Sequence, residues 1–599
     1  MRIPFAFLLL ATLPLAATDI DLAGDWLFAL DEADAGVGER WFARDLPDKI
    51  RLPGMLQAQG FGQEISPDTP WVSGLHDRFW WQRADYRAFT KTGQVKVPFL
   101  CQPPRHYLGV AWYQRDIAIP GGQGPRWVLF LERTRWRSTV WLDEREVGSC
   151  DSLVAPHEFD LGLVEAGNHR LTVRLDNRMI LPYRPDAHAV SDAMGSTWNG
   201  IVGRIELRPT PAVYLDHVEL HPNFASHQLL AKVAIGNASG RAGAGRVSAG
   251  SASAAVRWEA DAATELEIAV PMPAETARWD EFKPSLHRIT VKLDSPSGKD
   301  SRDLVFGLRD FRTQGNEFTV NGRLTHLRGT HDGGGFPLTG HPPMDVASWR
   351  RIFGICKDWG LNHVRFHSWC PPEAAFTAAD ELGVYLQPEA GMWNDFNPGS
   401  DITRMLYAET ERMIRAYGNH PSFVLFSPSN EPKGRWQQVL AEWVAHGRQR
   451  DPRRLYTTGT GWSVIDKPGP VAKTIDYLNA HRIGGNLMRG DKAWFGRDYA
   501  VSTRGVDVPI VSHELGQWCA YPDFDVIARF TGYLRPGSYE IFRASAEARG
   551  VLDRNKDFVR ASGKLQLACY KEEIEANLRT PGLAGFQLLD LHDYMGQGT

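Results

Sequence analysis

Two glutamates have the type and setting for acid–base and nucleophilic work. Glu431 sits in Ser429-Asn430-Glu431-Pro432, just after the apolar run 423–426, and Glu514 closes Pro509-Ile510-Val511-Ser512-His513-Glu514. Each run is long enough for one buried strand, so each carboxyl group is expected at a strand's carboxyl end. Beyond Glu431, apolar Trp436, Val439, Leu440, Trp443 and Val444 recur at helical spacing, which predicts a strand-to-helix corner. Two carboxylates facing each other at about 5 Å would hydrolyse a glycosidic bond with retention, through a covalent intermediate. Read alone, Ser-Asn-Glu-Pro fits a helix cap with a proline in the first turn equally well. The second glutamate favours the catalytic reading.

The elements that must position them follow from length and patterning. A chain of 599 residues exceeds one core, so several domains are expected. Residues 18–209 show short alternating strands punctuated by Gly, Pro and Asp, the pattern of a jelly-roll sandwich. After Arg208-Pro209-Thr210-Pro211, residues 210–310 repeat that rhythm over a length that suits an immunoglobulin-like sandwich, with the Ala/Gly/Ser-rich stretch 236–255 as a loose hairpin or edge. From 311 to 599 strands alternate with helices. Strands are expected at 326–329, 362–366, 384–387, 423–426, 455–458, 474–478, 509–512 and 584–588, the count of a (β/α)8 TIM barrel. The chain stops soon after the eighth strand, so truncation at the barrel's carboxyl end is expected.

The function classes narrow accordingly. A net charge of −4 excludes broad electrostatic capture of nucleic acid or anionic lipid. No apolar stretch has the length of a membrane span. Arg2, the apolar run 3–13 and Leu15-Ala16-Ala17 read as a signal peptide over 1–17, implying a secreted or periplasmic protein. The six cysteines lack CxxC spacing, so neither a metal site nor a disulfide framework is expected, although one incidental bridge is compatible with export. No cofactor is called for, and the oligomeric state is left open. The 21 tryptophans suit stacking on sugar rings as well as β-domain cores.

In such a barrel the strand ends converge. The residues to collect are His331, Asp332, Arg365, His367, Trp369, Glu389, Asn430, Glu431, Trp462, His481, Glu514, Gln587, Asp590 and His592. Several have a bland alternative. Arg365 could be a structural ion pair, His331 and His367 loop packing, and Glu389 a cap of the third helix. Trp369, Trp393 and Trp462 could be core, and Asp590 and His592 surface.

The stretches Asn419-His420-Pro421-Ser422-Phe423 with Ser429-Asn430-Glu431-Pro432, and 509–514, resemble the two signatures of glycoside hydrolase family 2. Asn362-His363-Val364-Arg365-Phe366-His367 and Asp380-Glu381-Leu382-Gly383-Val384-Tyr385 resemble that family's second and third strands. Leu22-Ala23-Gly24-Asp25-Trp26 and Trp198-Asn199-Gly200-Ile201-Val202-Gly203 resemble its amino-terminal sugar-binding jelly roll. The resemblance implies Glu431 as general acid/base, Glu514 as nucleophile and Asn430 as partner of the sugar 2-hydroxyl. It places Arg365 and His481 beside Glu514, where a guanidinium would lower the carboxyl pKa. Strand eight lacks the tryptophan common in the family, so the sugar floor is expected to be polar, with Gln587 a candidate, or supplied from elsewhere. The expectation is a retaining exo-β-glycosidase, with a β-galactoside as first substrate and a uronide or arabinoside second. The rival class is a noncatalytic carbohydrate-binding protein.

Overall fold

A computed structural model describes residues 18–72, 79–91, 93–99, 101–121, 126–195, 198–260, 262–461, 474–481, 495–516 and 518–592. The fold is mostly β before residue 326 and mixed after it.

The first region packs two antiparallel sheets face to face. One runs Arg145–Cys150, Arg137–Leu142, Gly167–Asp176, Val110–Ile119, Gly24–Asp31, Asp48–Leu52; the other is built on Gly200–Thr210 and Arg126–Arg135. The period of two is explicit in His157–Leu163, where buried His157, Phe159 and Leu161 alternate with exposed Glu158 and Asp160. Trp26, Phe28, Tyr113, Trp127 and Leu131 fill the space between the sheets. The second region is smaller, a three-stranded sheet (Val213–Asn223, Gln228–Asn237, Thr264–Pro271) and a four-stranded one. The Ala/Gly/Ser-rich stretch is not loose. It forms the hairpin Gly243–Ala249 and Ala252–Trp258, and its small residues are required because the Trp258 ring lies across Gly243, 2.9 Å from where a Cβ would stand.

From residue 327 the strands are parallel. The first (Leu327–Asp332) pairs with the second (His363–Phe366), which pairs with the third (Tyr385–Gln387). The third meets the fourth (Leu425–Ser429) through the bridge Leu386↔Phe423 and the companion strand Glu389–Met392. The fourth pairs with the fifth (Leu455–Tyr456). The sixth (Leu478–His481) pairs with the seventh (Ile510–Gly516), the seventh with the eighth (Leu583–Leu589), and the eighth with the first. The result is a curled parallel sheet. Helices Val346–Asp358, Glu373–Leu382, Asp401–Tyr417 and Trp436–Arg450 follow the first four strands as expected. Later the alternation breaks down. Among the described residues only Ala500–Thr503 is α-helical between strands five and seven, and two helices, Gly537–Ala548 and Asn555–Arg579, precede strand eight.

Two strand boundaries differ from expectation in ways that matter. The fourth strand does not end before Ser427 but runs through Pro428 to Ser429. Proline is tolerated because the register with Glu389–Met392 shifts there, so no ladder bond is lost. The sixth begins at Leu478, where 474–478 was expected.

The three regions pack against one another. Arg133 of the first sandwich donates to Pro371 O and to the Tyr417 hydroxyl. Its Val154, Leu181 and Tyr183 share one core with Trp349, Phe366 and Phe426. The second sandwich is tied on by Glu219, which pairs with Arg450 at 2.6 Å, and by Asp216 with Arg415. All six cysteines are free thiols. Among the described residues no helix is long and apolar enough to cross a membrane.

Candidate active site

Glu431 follows the fourth strand by two residues, its N–H donating to Thr460 O at 2.7 Å. Glu514 lies within the seventh strand rather than beyond it, at a register shift between Ser512 and Leu515. A bulge of this kind re-aims a side chain. Both residues have left-handed backbones, φ 30° and 49°, as does Ser368 at 50°. Such conformations cost a non-glycine residue on the order of 1–3 kcal/mol and persist where surrounding structure enforces them, which is why they gather at functional sites. The two side chains occupy one neighbourhood. A Cβ at Gly461 would stand 2.6 Å from Glu431 Cγ and 3.2 Å from His513 Cε1, and His513 Nε2 lies 3.4 Å from Glu514 Oε1. Gly461, at φ +100°, leaves the room that Glu431 occupies.

Beneath Glu431 is a closed charged network. Arg365, fully buried at the end of the second strand, donates Nε to Glu389 Oε1 (2.8 Å) and NH2 to Asn430 Oδ1 (2.8 Å) and Thr460 Oγ1 (2.6 Å). Glu389 also accepts from Thr460 Oγ1 (2.9 Å) and Ser368 N–H (2.6 Å). Glu389 therefore does not cap a helix, and Arg365 does not bond Glu514 as expected. The guanidinium pairs with the carboxylate that the third strand delivers to it. With Asn430 Oδ1 held by Arg365, its Nδ2 is buried and makes no hydrogen bond among the described residues. An amide in that state is a donor ready for a ligand.

Around Glu514 the neighbours are imidazoles. His367 Nε2 and His513 Nε2 each lie 3.4 Å from Glu514 Oε1, whose side chain is 11% exposed. His331 stacks parallel to His513 and packs on His367, and His188, from the first sandwich, stands edge-on to His367 at 4.4 Å between ring centroids. Burial drives the His188 and His367 rings toward neutrality. It takes His188 down to about 3, and takes His367 well below its ordinary value with help from His188 and Arg365. Behind them, burial raises Asp332, and burial together with Asp332 raises Asp590 well above the carboxylate range. His331 Nδ1 lies 3.8 Å from Asp590 Oδ1, so Asp590 is a buried wall of the site and not a surface residue. Among the described residues no group of three or more His, Cys, Asp or Glu is arranged to hold a metal ion.

Several expected contacts fall elsewhere. Trp369 packs against Phe336, Trp349 and Phe366 and donates Nε1 to Asp332 O, so it is core. Half-buried Trp393 instead meets His367 edge-on at 5.4 Å. Gln587 is no sugar floor. It is fully buried in a polar ring, donating Nε2 to His363 Nε2 (2.9 Å) and Gln387 Oε1 (2.9 Å) and accepting from Asn479 (3.2 Å). Trp462 lies outside the described residues, and of His481 only the backbone, ending the sixth strand, is described. Thr460, Ser368, His513 and His188 were not among the expected site residues. His513 adjoins Glu514 in sequence. The signal for His188 is the unusually long connection between Gly167–Asp176 and Gly200–Thr210 in an otherwise tight β-region.

The model of the glycosyl hydrolases family 2 sugar binding domain matches residues 20–211. A β-galactosidase of Aeromonas hydrophila subsp. hydrophila is 24% identical over 471 residues, 72% of this chain and 42% of that protein. β-Galactosidase 2 of Enterobacter cloacae is 25% identical over 498 residues, 77% and 45% of the two chains. The chain thus spans less than half the length of these curated relatives. Among solved structures, a family 2 β-galacturonidase from Eisenbergiella tayi bound to galacturonate superposes with a TM-score of 0.67 at 16% identity, covering 96% of this chain and 89% of that one. A Bacteroides uniformis β-glucuronidase gives 0.68 at 16% identity, covering 96% and 65%. Residues 20–211 thus match the family 2 sugar-binding domain, and the chain is similar to family 2 glycoside hydrolases along most of its length.

Proposed function

We propose that this chain is a retaining exo-β-glycosidase in which Glu431 is the acid/base and Glu514 the nucleophile. The observation that carries the proposal is that Gly461 abuts both Glu431 and His513, and His513 in turn lies 3.4 Å from Glu514, beside the amide nitrogen of Asn430. Glu431 protonates the leaving oxygen as Glu514 attacks the anomeric carbon. The glycosyl–Glu514 ester is then cleaved by water that Glu431 deprotonates. Asn430 Nδ2 donates to the sugar 2-hydroxyl, a bond that strengthens as oxocarbenium character grows. In this reading the parallel strands are a (β/α)8 barrel preceded by a jelly roll (18–209) and an immunoglobulin-like sandwich (210–310). Residues 1–17, outside the described residues, act as a signal peptide for export.

A β-galactoside is the first substrate proposed, after the two curated β-galactosidases, and a β-uronide the second, after the similar β-galacturonidase and β-glucuronidase structures. A panel of nitrophenyl β-galactoside, β-galacturonide, β-glucuronide and α-arabinoside tests this. Turnover of one glycoside is expected, abolished in Glu514→Ala. Azide should restore turnover in Glu431→Ala and yield a glycosyl azide of retained configuration. Hydrolysis that survives Glu514→Ala overturns the nucleophile assignment. Sugar binding without turnover on any glycoside favours the noncatalytic reading.

A further inference from the structure

The connection 177–199 belongs to the first sandwich, but part of it lies against the end of the second parallel strand. His188 N–H donates to Ser368 Oγ (2.9 Å), and Ala189 N–H donates to Ser368 O (3.1 Å). His188 Nδ1 lies 2.8 Å from the His367 carbonyl oxygen and 2.8 Å from His367 Nδ1. A carbonyl oxygen can only accept, so His188 Nδ1 carries a proton. That N–H also points at His367 Nδ1, which is therefore the bare nitrogen. Ser368 Oγ, 3.2 Å from the same nitrogen, already accepts from His188 N–H and has its own proton free to donate there. A neutral His367 has one proton left, and its place is Nε2, the atom 3.4 Å from Glu514 Oε1. Burial and the neighbouring charges hold His367 neutral.

We propose that His188 is a positioning residue: it fixes His367 as the Nε2–H tautomer, so that an uncharged N–H stands 3.4 Å from a carboxylate oxygen of Glu514. The amino-terminal sandwich would thereby set the hydrogen bonding of a nucleophile more than three hundred residues away in sequence. An uncharged donor suits a group that is an anion before attack and an ester after it. It favours the carboxylate without an ion pair that would have to be broken. The proposal rests on Glu514 as nucleophile for its catalytic meaning, but not for the tautomer itself.

The test uses the full chain in two measurements. In protein carrying 15N-histidine, long-range proton–nitrogen correlations, assigned with His367→Asn and His188→Asn, report which ring nitrogen bears hydrogen. Expected are a protonated Nε2 at His367 and a protonated Nδ1 at His188. A protonated Nδ1 at His367 overturns the proposal. In kinetics, His188→Ala should lower kcat about ten-fold, the worth of one hydrogen bond, with KM changed less than about two-fold. The acidic limb of kcat/KM should move to higher pH. His188→Asn, whose amide N–H can stand in for Nδ1–H, should recover most of kcat. An unchanged pH limb in His188→Ala, or no difference between Ala and Asn, overturns the positioning role. If His188→Ala fails to fold, the wild-type spectrum still decides the tautomer. Activity surviving in Glu514→Ala would remove the nucleophile reading while leaving the tautomer result standing.

Discussion

The two glutamates sit in contrasting surroundings. The side of Glu431 rests on the Arg365–Glu389–Asn430–Thr460 network, where a buried positive and a buried negative charge are fully enclosed and hydrogen-bonded. The side of Glu514 faces His367, His513 and His331, with the protonation-prone carboxyls of Asp332 and Asp590 behind them. One side is rigid because removing either Arg365 or Glu389 strands a buried charge. The other is held by ring packing, with His367 kept neutral by burial. The division matches the proposed chemistry. An acid/base residue must keep its orientation through two proton transfers, whereas a nucleophile changes from anion to ester and gains from neighbours that do not compete for its charge.

The largest expected effect is on the Glu514 side. Glu514→Ala should lower kcat on the order of 10⁴-fold, with the melting temperature changed far less than by breaking the Arg365–Glu389 pair, because the carboxylate lost keeps some exposure and has no buried cation as partner among the described residues. Stopped-assay rates and calorimetry on the same preparation check both halves. A variant that lost stability along with activity would erase the contrast between the sides. On the Glu431 side the effect should be on folding. Arg365→Met leaves Glu389 buried without its cation and should cost about 3–5 kcal/mol, read as a shift of the urea midpoint. An unshifted midpoint would mean that the network contributes nothing to rigidity.

Asn430→Ala should reduce kcat/KM by about 10²-fold, and a 2-deoxy substrate should show no further loss in the variant, since both changes remove the same bond. Loss of equal size on top of the substitution would place Asn430 away from the 2-hydroxyl. A smaller effect should be seen in the pH dependence of stability. Burial lowers His363 from 6.5 to about 4, so between those values the unfolded chain takes up a proton that the folded chain refuses. The stability this neutral ring contributes is complete above pH 6.5 and is lost as pH falls toward 4, at about 1.4 kcal/mol per unit. His363→Gln should flatten the stability–pH curve by that slope in that window.

What could be read from the sequence was local. The runs ending at Glu431 and Glu514 reveal themselves because a strand, its stop and a carboxylate lie within about ten residues. The sandwich strands are legible through their period of two. The partners of Arg365 were not legible, because Glu389 and Thr460 come from the third strand and a loop after the fifth, and only closure of the sheet brings them to the guanidinium. The histidines around Glu514 come from four separate segments, one of them in a different sandwich, and no spacing rule links them. Strand ends were misjudged where a register shift intervenes, at Pro428 and at Glu514, since a bulge is a property of two strands and not of one.

Gln587 offers the smallest test and the sharpest contrast with the rim above it. Its amide joins His363, Gln387 and Asn479 in a ring in which each member both donates and accepts, sealed from solvent inside the parallel sheet. Gln587→Met keeps the volume but withdraws two donors and one acceptor. The partners left behind are neutral, so the cost should be about 1–2 kcal/mol and not the several that Arg365→Met exacts. Because the ring touches no substrate, KM for the preferred nitrophenyl glycoside should stay within about two-fold of wild type. A rise in KM with unchanged stability would return Gln587 to the sugar floor and move the base of the site one layer deeper than the rim at Asn430 and Glu514.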